Sequence, residues 1–331
     1  MSDEMTHWER IRATLRDEEI DRVAVSMWRH FFENETSARS LAEAMLTFQN
    51  KYNWDFMKVN PRASYHAEGW GLKVRYEGNR SPLVTETPVK EPDDWLKLET
   101  LSPENAVLRE HLEALEIISK ELNGELPFLM TVFTPLSIAA DLAPSEEIFL
   151  QHLREYPDKV KSALEVITET FTDFSRECFS RGISGLFFAT TSWATLDSLT
   201  QEEYLELARP FDLRLLQAMP AAEFNILHVC RDNNFLNLLK DYPAQAFNWD
   251  INGRDNPSLL QGKDIVDGKI VVGGIRFGND LVQADEEQVK QEISDLKSEM
   301  GNKGWMLGVG CSFAPETPDK NVAAIRESAD K

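Results

Sequence analysis

The chain has 331 residues, of which 42% are hydrophobic and 27% charged, and its 56 acidic against 35 basic side chains give a formal net charge of −21. This composition is typical of a globular protein with a large core, and the length fits either two ordinary domains or one large α/β barrel. A negative field repels phosphate backbones, so we expect no nucleic-acid partner. The N-terminus lacks the order of a signal peptide and no apolar run reaches the length of a membrane span, so we also expect no membrane partner and a cytoplasmic location.

Helical and strand patterns alternate along the chain. An amphipathic helix is predicted over 5–19, and residues 1–22 are interpreted as an N-terminal helical extension that precedes one domain of residues 23–331. Eight short apolar runs predict strands, at 23–28, 55–60, 128–133, 186–190, 224–230, 246–250, 270–275 and 306–311. Helical spacing is found at 37–52, 103–122, 145–153, 156–180, 201–219, 233–240, 286–300 and 318–329, and a short helix begins at 257–260. Residues 72–86 alternate around Gly78 and predict an inserted β-hairpin.

Eight strands that alternate with helices predict a single α/β domain, a parallel (β/α)8 TIM barrel. A doubly wound open sheet is the alternative, but no Gly-x-Gly-x-x-Gly turn follows the first strand and the chain contains no P-loop. In a TIM barrel the catalytic groups lie at the carboxyl ends of the strands.

Two of the three cysteines stand at such strand ends. Side chains alternate faces along a strand, so His228 and Cys230 point the same way, and Cys311 has the inward parity of the last strand. Two thiolates and one imidazole form a zinc ligand set, and three protein ligands with an open fourth position indicate a catalytic site. The alternative is that both cysteines are small core residues and that His228 is a hydrogen-bonded histidine at the barrel mouth. Cys178, inside a helical pattern, is interpreted as core.

Other polar residues at predicted strand ends are candidate substrate-binding groups. They are Arg29, His30, Asn60, Arg62, Asp250 and Arg276. The arginines suit carboxylates or phosphates, although single arginines more often form structural ion pairs. His30 is a candidate acid-base group, and Asp250 a candidate fourth or outer ligand of the metal.

Several stretches resemble the uroporphyrinogen decarboxylase superfamily. They are 127–142 (PFLMTVFTPLSIAADL), Ser192-Trp193 with the helix to Pro210, Leu227-His228-Val229-Cys230, and Gly310-Cys311 followed by Ala314-Pro315-Glu316-Thr317-Pro318 and Asn321-Val322. The arginine-rich, Phe-Ser-Asp and tyrosine motifs of the true decarboxylases are not matched at 27–31, 59–61 and 138–140. The His-x-Cys and distant Cys of the cobamide-dependent methyltransferase branch are matched by His228, Cys230 and Cys311.

This resemblance implies a (β/α)8 barrel and a zinc-dependent methyltransferase. Zinc would lower the pKa of a thiol substrate and hold it for methyl transfer from a corrinoid (cobalamin) carried by a partner protein, and the reverse transfer from a small methyl donor would use the same site. A homodimer is expected only by analogy with the family. Two alternatives remain. One is a metal-independent decarboxylase of a porphyrinogen or another polycarboxylate, and the other is a non-catalytic corrinoid- or tetrapyrrole-binding protein whose metal site is vestigial.

Overall fold

Eight parallel strands close into a barrel in the computed structural model, which describes residues 4–219 and 222–330. The barrel strands are β1 (Val25–Ser26), β2 (Met57–Val59), β5 (Phe128–Phe133), β6 (Gly185–Ala189), β7 (Ile226–Val229), β8 (Ala246–Trp249), β9 (Ile270–Ile275) and β10 (Trp305–Val309). Two further strands, β3 (Lys73–Arg75) and β4 (Leu83–Glu86), pair with each other in an antiparallel hairpin. The predicted hairpin is therefore present.

The barrel strands pair in the order β1-β10-β9-β8-β7-β6-β5-β2. At the seam between the two ends of this order, the backbone N–H of Asp55 donates to the carbonyl of Val25 at 2.9 Å. The hydroxyl of Ser26 also donates across the seam, to the carbonyl of Phe56 at 2.7 Å. The barrel is nearly closed, and the predicted (β/α)8 fold is confirmed.

The helices lie around this barrel, most of them between consecutive strands. They are α1 (His7–Leu15), α2 (Ala38–Tyr52), α3 (Tyr65–Glu68), α4 (Ala106–Leu122), α5 (Pro135–Leu142), α6 (Glu146–Glu155), α7 (Pro157–Ser180), α8 (Gln201–Leu207), α9 (Arg209–Gln217), α10 (Leu236–Leu239), α11 (Leu259–Ile265), α12 (Asn279–Gln283), α13 (Glu286–Met300) and α14 (Asp319–Ala329). Short 3₁₀ turns occur at Phe32–Asn34 and Pro92–Lys97. None of the helices within the described ranges is long and apolar enough to cross a membrane.

The structure corrects several predicted helices. The pattern at 201–219 is two helices, because the chain leaves the helical path at Ala208 and restarts with Pro210 in the first turn of α9. The helix predicted at 5–19 is only His7–Leu15, which Thr6 and Glu9 cap reciprocally. Helix α5 lies outside the predicted helices; the Thr134 side chain caps it and Pro135 stands in its first turn.

Aromatic side chains pack in the barrel interior, below the carboxyl ends of the strands. Phe56 packs edge-on against Phe224 with ring centroids 5.2 Å apart, and Trp28 packs edge-on against Phe187 at 5.4 Å. All four rings are at most 2% exposed. These rings fill this part of the barrel interior, as side chains do in other TIM barrels.

A buried ion cluster at the amino ends of the strands ties the N-terminal segment to the barrel. The Asp55 carboxylate accepts from Arg10 at 2.7 Å, from Arg22 at 2.6 Å and from the backbone N–H of Val25 at 2.8 Å, and it contacts His7 at 3.0 Å. Burial alone would raise the pKa of Asp55, but the hydrogen bonds from His7 and Arg22 and the charges of both arginines outweigh it and hold this pKa well below its usual range. Asp55 is therefore ionised at neutral pH.

Candidate metal and thiol site

Strands β7 and β10 bring the three predicted ligands together at the mouth of the barrel. One ligand atom each from His228, Cys230 and Cys311 lies within 4.8 Å of the other two. His228 belongs to β7, whereas each cysteine lies just beyond the last residue of its strand. His228 is buried, and the two cysteines are half-buried. Among the described residues this is the one group of three or more His, Cys, Asp or Glu side chains with such spacing.

The imidazole orientation is fixed by Asn248, which faces His228 from the paired position of β8. The Asn248 side-chain NH₂ donates to the carbonyls of Val272 at 2.8 Å and Val309 at 3.1 Å. Its oxygen lies 2.6 Å from Nδ1 of His228. Because that oxygen can only accept, Nδ1 carries the proton and Nε2 is left with a free lone pair. A histidine held in this way is suited to bind a metal through Nε2.

The backbone that carries Cys230 is held by the end of the neighbouring strand. The N–H of Cys230 donates to the hydroxyl of buried Thr190 at 3.4 Å, and the N–H of Thr190 donates to the carbonyl of His228 at 3.1 Å. The next residue, Arg231, has a φ of +73°, in the left-handed region that side chains other than glycine seldom adopt. The chain therefore turns sharply after Cys230 and leaves the sulfur at the cavity.

The two sulfurs interact with each other. The hydrogen bond from Cys230 holds the pKa of the Cys311 thiol well below its usual value against the opposing effect of burial. The same hydrogen bond, together with burial, raises the pKa of Cys230. Cys311 is therefore the sulfur that ionises first.

The residues present fit a zinc ion. Sulfur ligands about 2.3 Å from a tetrahedral zinc lie ~3.8 Å apart, which agrees with the observed clustering of the ligand atoms. The donor set of one neutral imidazole and two thiols is one that zinc prefers. Three protein ligands leave a fourth position that faces the cavity.

A cavity of about 690 Å³ lies above the cysteines. Its charged lining is four carboxylates and one arginine, namely Glu146, Asp197, Asp232, Asp250 and Arg231. The guanidinium of Arg231 donates to the hydroxyl of Ser192 at 2.8 Å and 3.0 Å. A second cavity of about 320 Å³ under the hairpin shares Glu146 and Ser192 with the first. The site therefore opens into an acidic chamber that the hairpin borders.

A lysine lies inside the barrel next to this site. Lys58 on β2 is 5% exposed, and its ammonium sits over the Phe187 ring, 4.6 Å from the centroid. His228 also stacks on that ring, with the centroids 5.4 Å apart. Burial lowers the pKa of Lys58 to about 7, although the charges of Cys311 and Glu35 raise it.

Two of the candidate substrate-binding residues lie close to the cysteines. Asp250 lines the cavity with them, and burial raises its pKa, but it is not one of the three clustered ligands. Asn60 donates to the hydroxyl of Ser312, the residue after Cys311, at 3.2 Å. Asp250 is thus placed to contact a substrate, whereas Asn60 supports the chain behind Cys311.

The other four candidates make contacts elsewhere and do not line the cavity. Arg62 forms ion pairs with Glu68 at 2.8 Å and Glu110 at 2.6 Å, and Arg276 pairs with Glu292. His30 pairs with Glu35 at 2.8 Å. Arg29 donates to the carbonyl of Pro315 at 3.0 Å and lines a separate cavity beside α2. Their partners come from other elements, so the structure lends no support to the substrate-binding role predicted for them.

Sequence reasoning missed two residues that surround the site. Asn248 interrupts the apolar run Ala246–Trp249, and Lys58 interrupts the run at Met57–Val59. A polar side chain inside a buried strand needs a partner, and this was the available signal.

With this fold and site in place, the family of the chain can be stated. The family model for uroporphyrinogen decarboxylase (URO-D) matches residues 6–331, and the chain belongs to this family. A methylcobamide:CoM methyltransferase from Methanosarcina acetivorans is 20% identical over 346 residues, which cover 98% of each chain. A uroporphyrinogen decarboxylase from Thermus thermophilus is 25% identical over 263 residues, which cover 78% of this chain and 74% of the relative. A solved structure described as a methyltransferase from Methanosarcina mazei superposes with a TM-score of 0.86 at 20% identity, over 99% of both chains.

Proposed function

We propose that this protein is a zinc-dependent methyltransferase that moves a methyl group between a corrinoid and a small thiol or related substrate. The observation that carries the proposal is the convergence of His228, Cys230 and Cys311 at the open end of the barrel. The names of the Methanosarcina relatives support it, since they describe methyl transfer from a methylcobamide to a thiol. The same reasoning suggests a corrinoid protein as the partner that presents the cobamide to the cavity.

The proposed chemistry assigns a part to each side chain. A zinc ion bound by the three ligands would act as a Lewis acid that lowers the pKa of a substrate thiol to near neutrality. Asn248 keeps the Nδ1 proton of His228 in place, so that the lone pair of Nε2 remains free to bind the metal. Asp250 lies in the cavity wall, where a carboxylate with a raised pKa could accept the proton that the thiol releases.

The lining of the cavity argues against the alternative, decarboxylation of a porphyrinogen or another polycarboxylate. Such a substrate carries several negative charges and needs cationic partners. The cavity lining offers one arginine, Arg231, against four carboxylates, of which Asp197 and Asp232 lie 2.7 Å and 3.8 Å from Arg254. Arg62 and Arg276 are paired with glutamates elsewhere. An acidic chamber would repel that substrate.

A spectroscopic assay tests the proposed reaction. Zinc-loaded protein is mixed anaerobically with methylcobalamin and a thiol, either 2-mercaptoethanesulfonate or homocysteine. Methyl transfer breaks the cobalt–carbon bond, forms a thioether and leaves cob(I)alamin, which changes the visible spectrum. We expect the conversion to require both zinc and thiol. If metal-free protein instead releases CO₂ from uroporphyrinogen while methylcobalamin stays unchanged, the decarboxylase alternative is correct.

A further inference from the structure

Lys58 is a buried cation without a carboxylate partner. Within residues 4–219 and 222–330, no aspartate or glutamate forms a salt bridge with it. The hydrogen bond it makes goes to the side-chain oxygen of Asn60 at 2.9 Å. A charged lysine inside a barrel is costly unless negative charge compensates it, so an anion bound at the neighbouring site would stabilise the ammonium form of Lys58.

The nearby carboxylate of Glu35 already accepts hydrogen bonds from other groups. Glu35, whose charge acts on Lys58, is 2% exposed and accepts hydrogen bonds from His30 and from the backbone N–H groups of Phe31 and Ala63. These three donors occupy the Glu35 carboxylate, and the ammonium of Lys58 is hydrogen-bonded to Asn60 instead.

Hydrogen bonds also connect Lys58 to the segment that carries Cys311. Asn60 accepts from Lys58 at 2.9 Å and donates to Ser312 at 3.2 Å. The ammonium also lies over the Phe187 ring on which His228 stacks. Lys58 is thus linked to the segment after β10 through Asn60 and to His228 of β7 through the Phe187 ring.

The net charge of the proposed zinc site with its ligands indicates what this lysine could do. A divalent zinc with two thiolates and a neutral imidazole carries no net charge, whereas a third thiolate at the open position would make the buried site negative. A single cation in the barrel would restore neutrality, and a charge in this low-dielectric region acts strongly.

We infer that Lys58 is a positioning residue that selects an anionic fourth ligand, a substrate thiolate, over a neutral one. This inference rests on the proposed function. It concerns the charge of the atom that would occupy the fourth ligand position. It does not depend on the carboxylates that line the cavity above the cysteines.

Ligand binding to the cobalt(II)-substituted protein tests the inference without turnover. The affinities of 2-mercaptoethanol and of imidazole are measured at one fixed pH from the cobalt absorption bands. In Lys58→Met we expect thiol affinity to fall at least about tenfold, because loss of a nearby opposite charge shifts the ionisation equilibrium of a ligand by about that much or more. Imidazole affinity should change less than about twofold, and Lys58→Arg should retain thiol binding.

Lys269→Met is the matched control. Lys269 also lies over a phenylalanine ring, Phe247, at 5.1 Å, but its ammonium donates to the backbone carbonyls of Lys240 and Tyr242. Its replacement should leave both affinities unchanged. Unchanged thiol affinity in Lys58→Met, or equal losses for thiol and imidazole, would overturn the inference alone. Failure of the wild-type protein to bind cobalt would overturn the proposed function and this inference with it.

Discussion

Replacement of Cys230 or Cys311 by alanine is expected to abolish methyl transfer and to release the zinc. If the apparent binding free energy of a zinc site, about 10–16 kcal/mol, is shared by four ligands, each ligand contributes about 2.5–4 kcal/mol, on the order of 10²- to 10³-fold in affinity. The remaining two ligands could not hold the ion in the geometry that the reaction needs. Zinc content after dialysis and the rate of methylcobalamin demethylation measure the two effects.

The third cysteine supplies the control for this experiment. Cys178 lies in α7, is fully buried and is remote from the cluster of ligand atoms. Cys178→Ala should keep its zinc and its turnover, although it removes a buried sulfur from the core. Equal zinc content and rates in Cys230→Ala and Cys178→Ala would show that Cys230 is a core residue, the alternative that the sequence left open.

Replacement of Asp55 by alanine is expected to destabilise the fold by about 3–5 kcal/mol, because it leaves two buried guanidinium groups without their shared counter-ion. Arg10 is 1% exposed and Arg22 is 8% exposed, so water cannot replace the lost partner. Arg10 keeps Asp21 as a second partner at 2.6 Å, which places the loss below that of two isolated charges. Urea unfolding followed by circular dichroism measures the change.

An exposed ion pair of α1, the helix that carries Arg10, is the matched control for Asp55. Arg12 of α1 pairs with Glu223 at 2.8 Å, with side chains 47% and 55% exposed, so Glu223→Ala should cost no more than about 1 kcal/mol. The pH dependence follows from the lowered pKa of Asp55. Its contribution is complete above the pH at which an unfolded aspartate titrates, near 4, and is lost as the pH falls through the acid range. A similar loss in the two variants at neutral pH would contradict this account of the cluster.

The strand count and the parity of two strands were enough to predict the barrel and the meeting of His228, Cys230 and Cys311. Both follow from local periodicity, because alternation along a strand fixes which face each side chain occupies. The position of the cysteines relative to each other also needed the closed ring of strands, which the eight repeats implied.

Contacts between separate elements could not be predicted in the same way. Whether an arginine at a strand end faces the cavity depends on partners such as Glu110 and Glu292, which come from other helices. A polar residue within an apolar run marks Asn248 and Lys58 as needing a partner, but the partners themselves, His228 and the Phe187 ring, follow only from the register between strands. The division of the chain into an N-terminal extension of residues 1–22 and one domain of residues 23–331 remains a prediction.

X-ray absorption at the zinc edge, on protein purified without a metal-affinity tag, tests the central claim most directly. We predict one zinc per chain with two sulfur neighbours at about 2.3 Å and a nitrogen neighbour at about 2.0–2.1 Å, and a third sulfur neighbour when a substrate thiol is added. Protein without zinc under non-chelating conditions, or a zinc whose neighbours are unchanged by every thiol that the protein methylates, would contradict the claim that this site binds and activates a thiol.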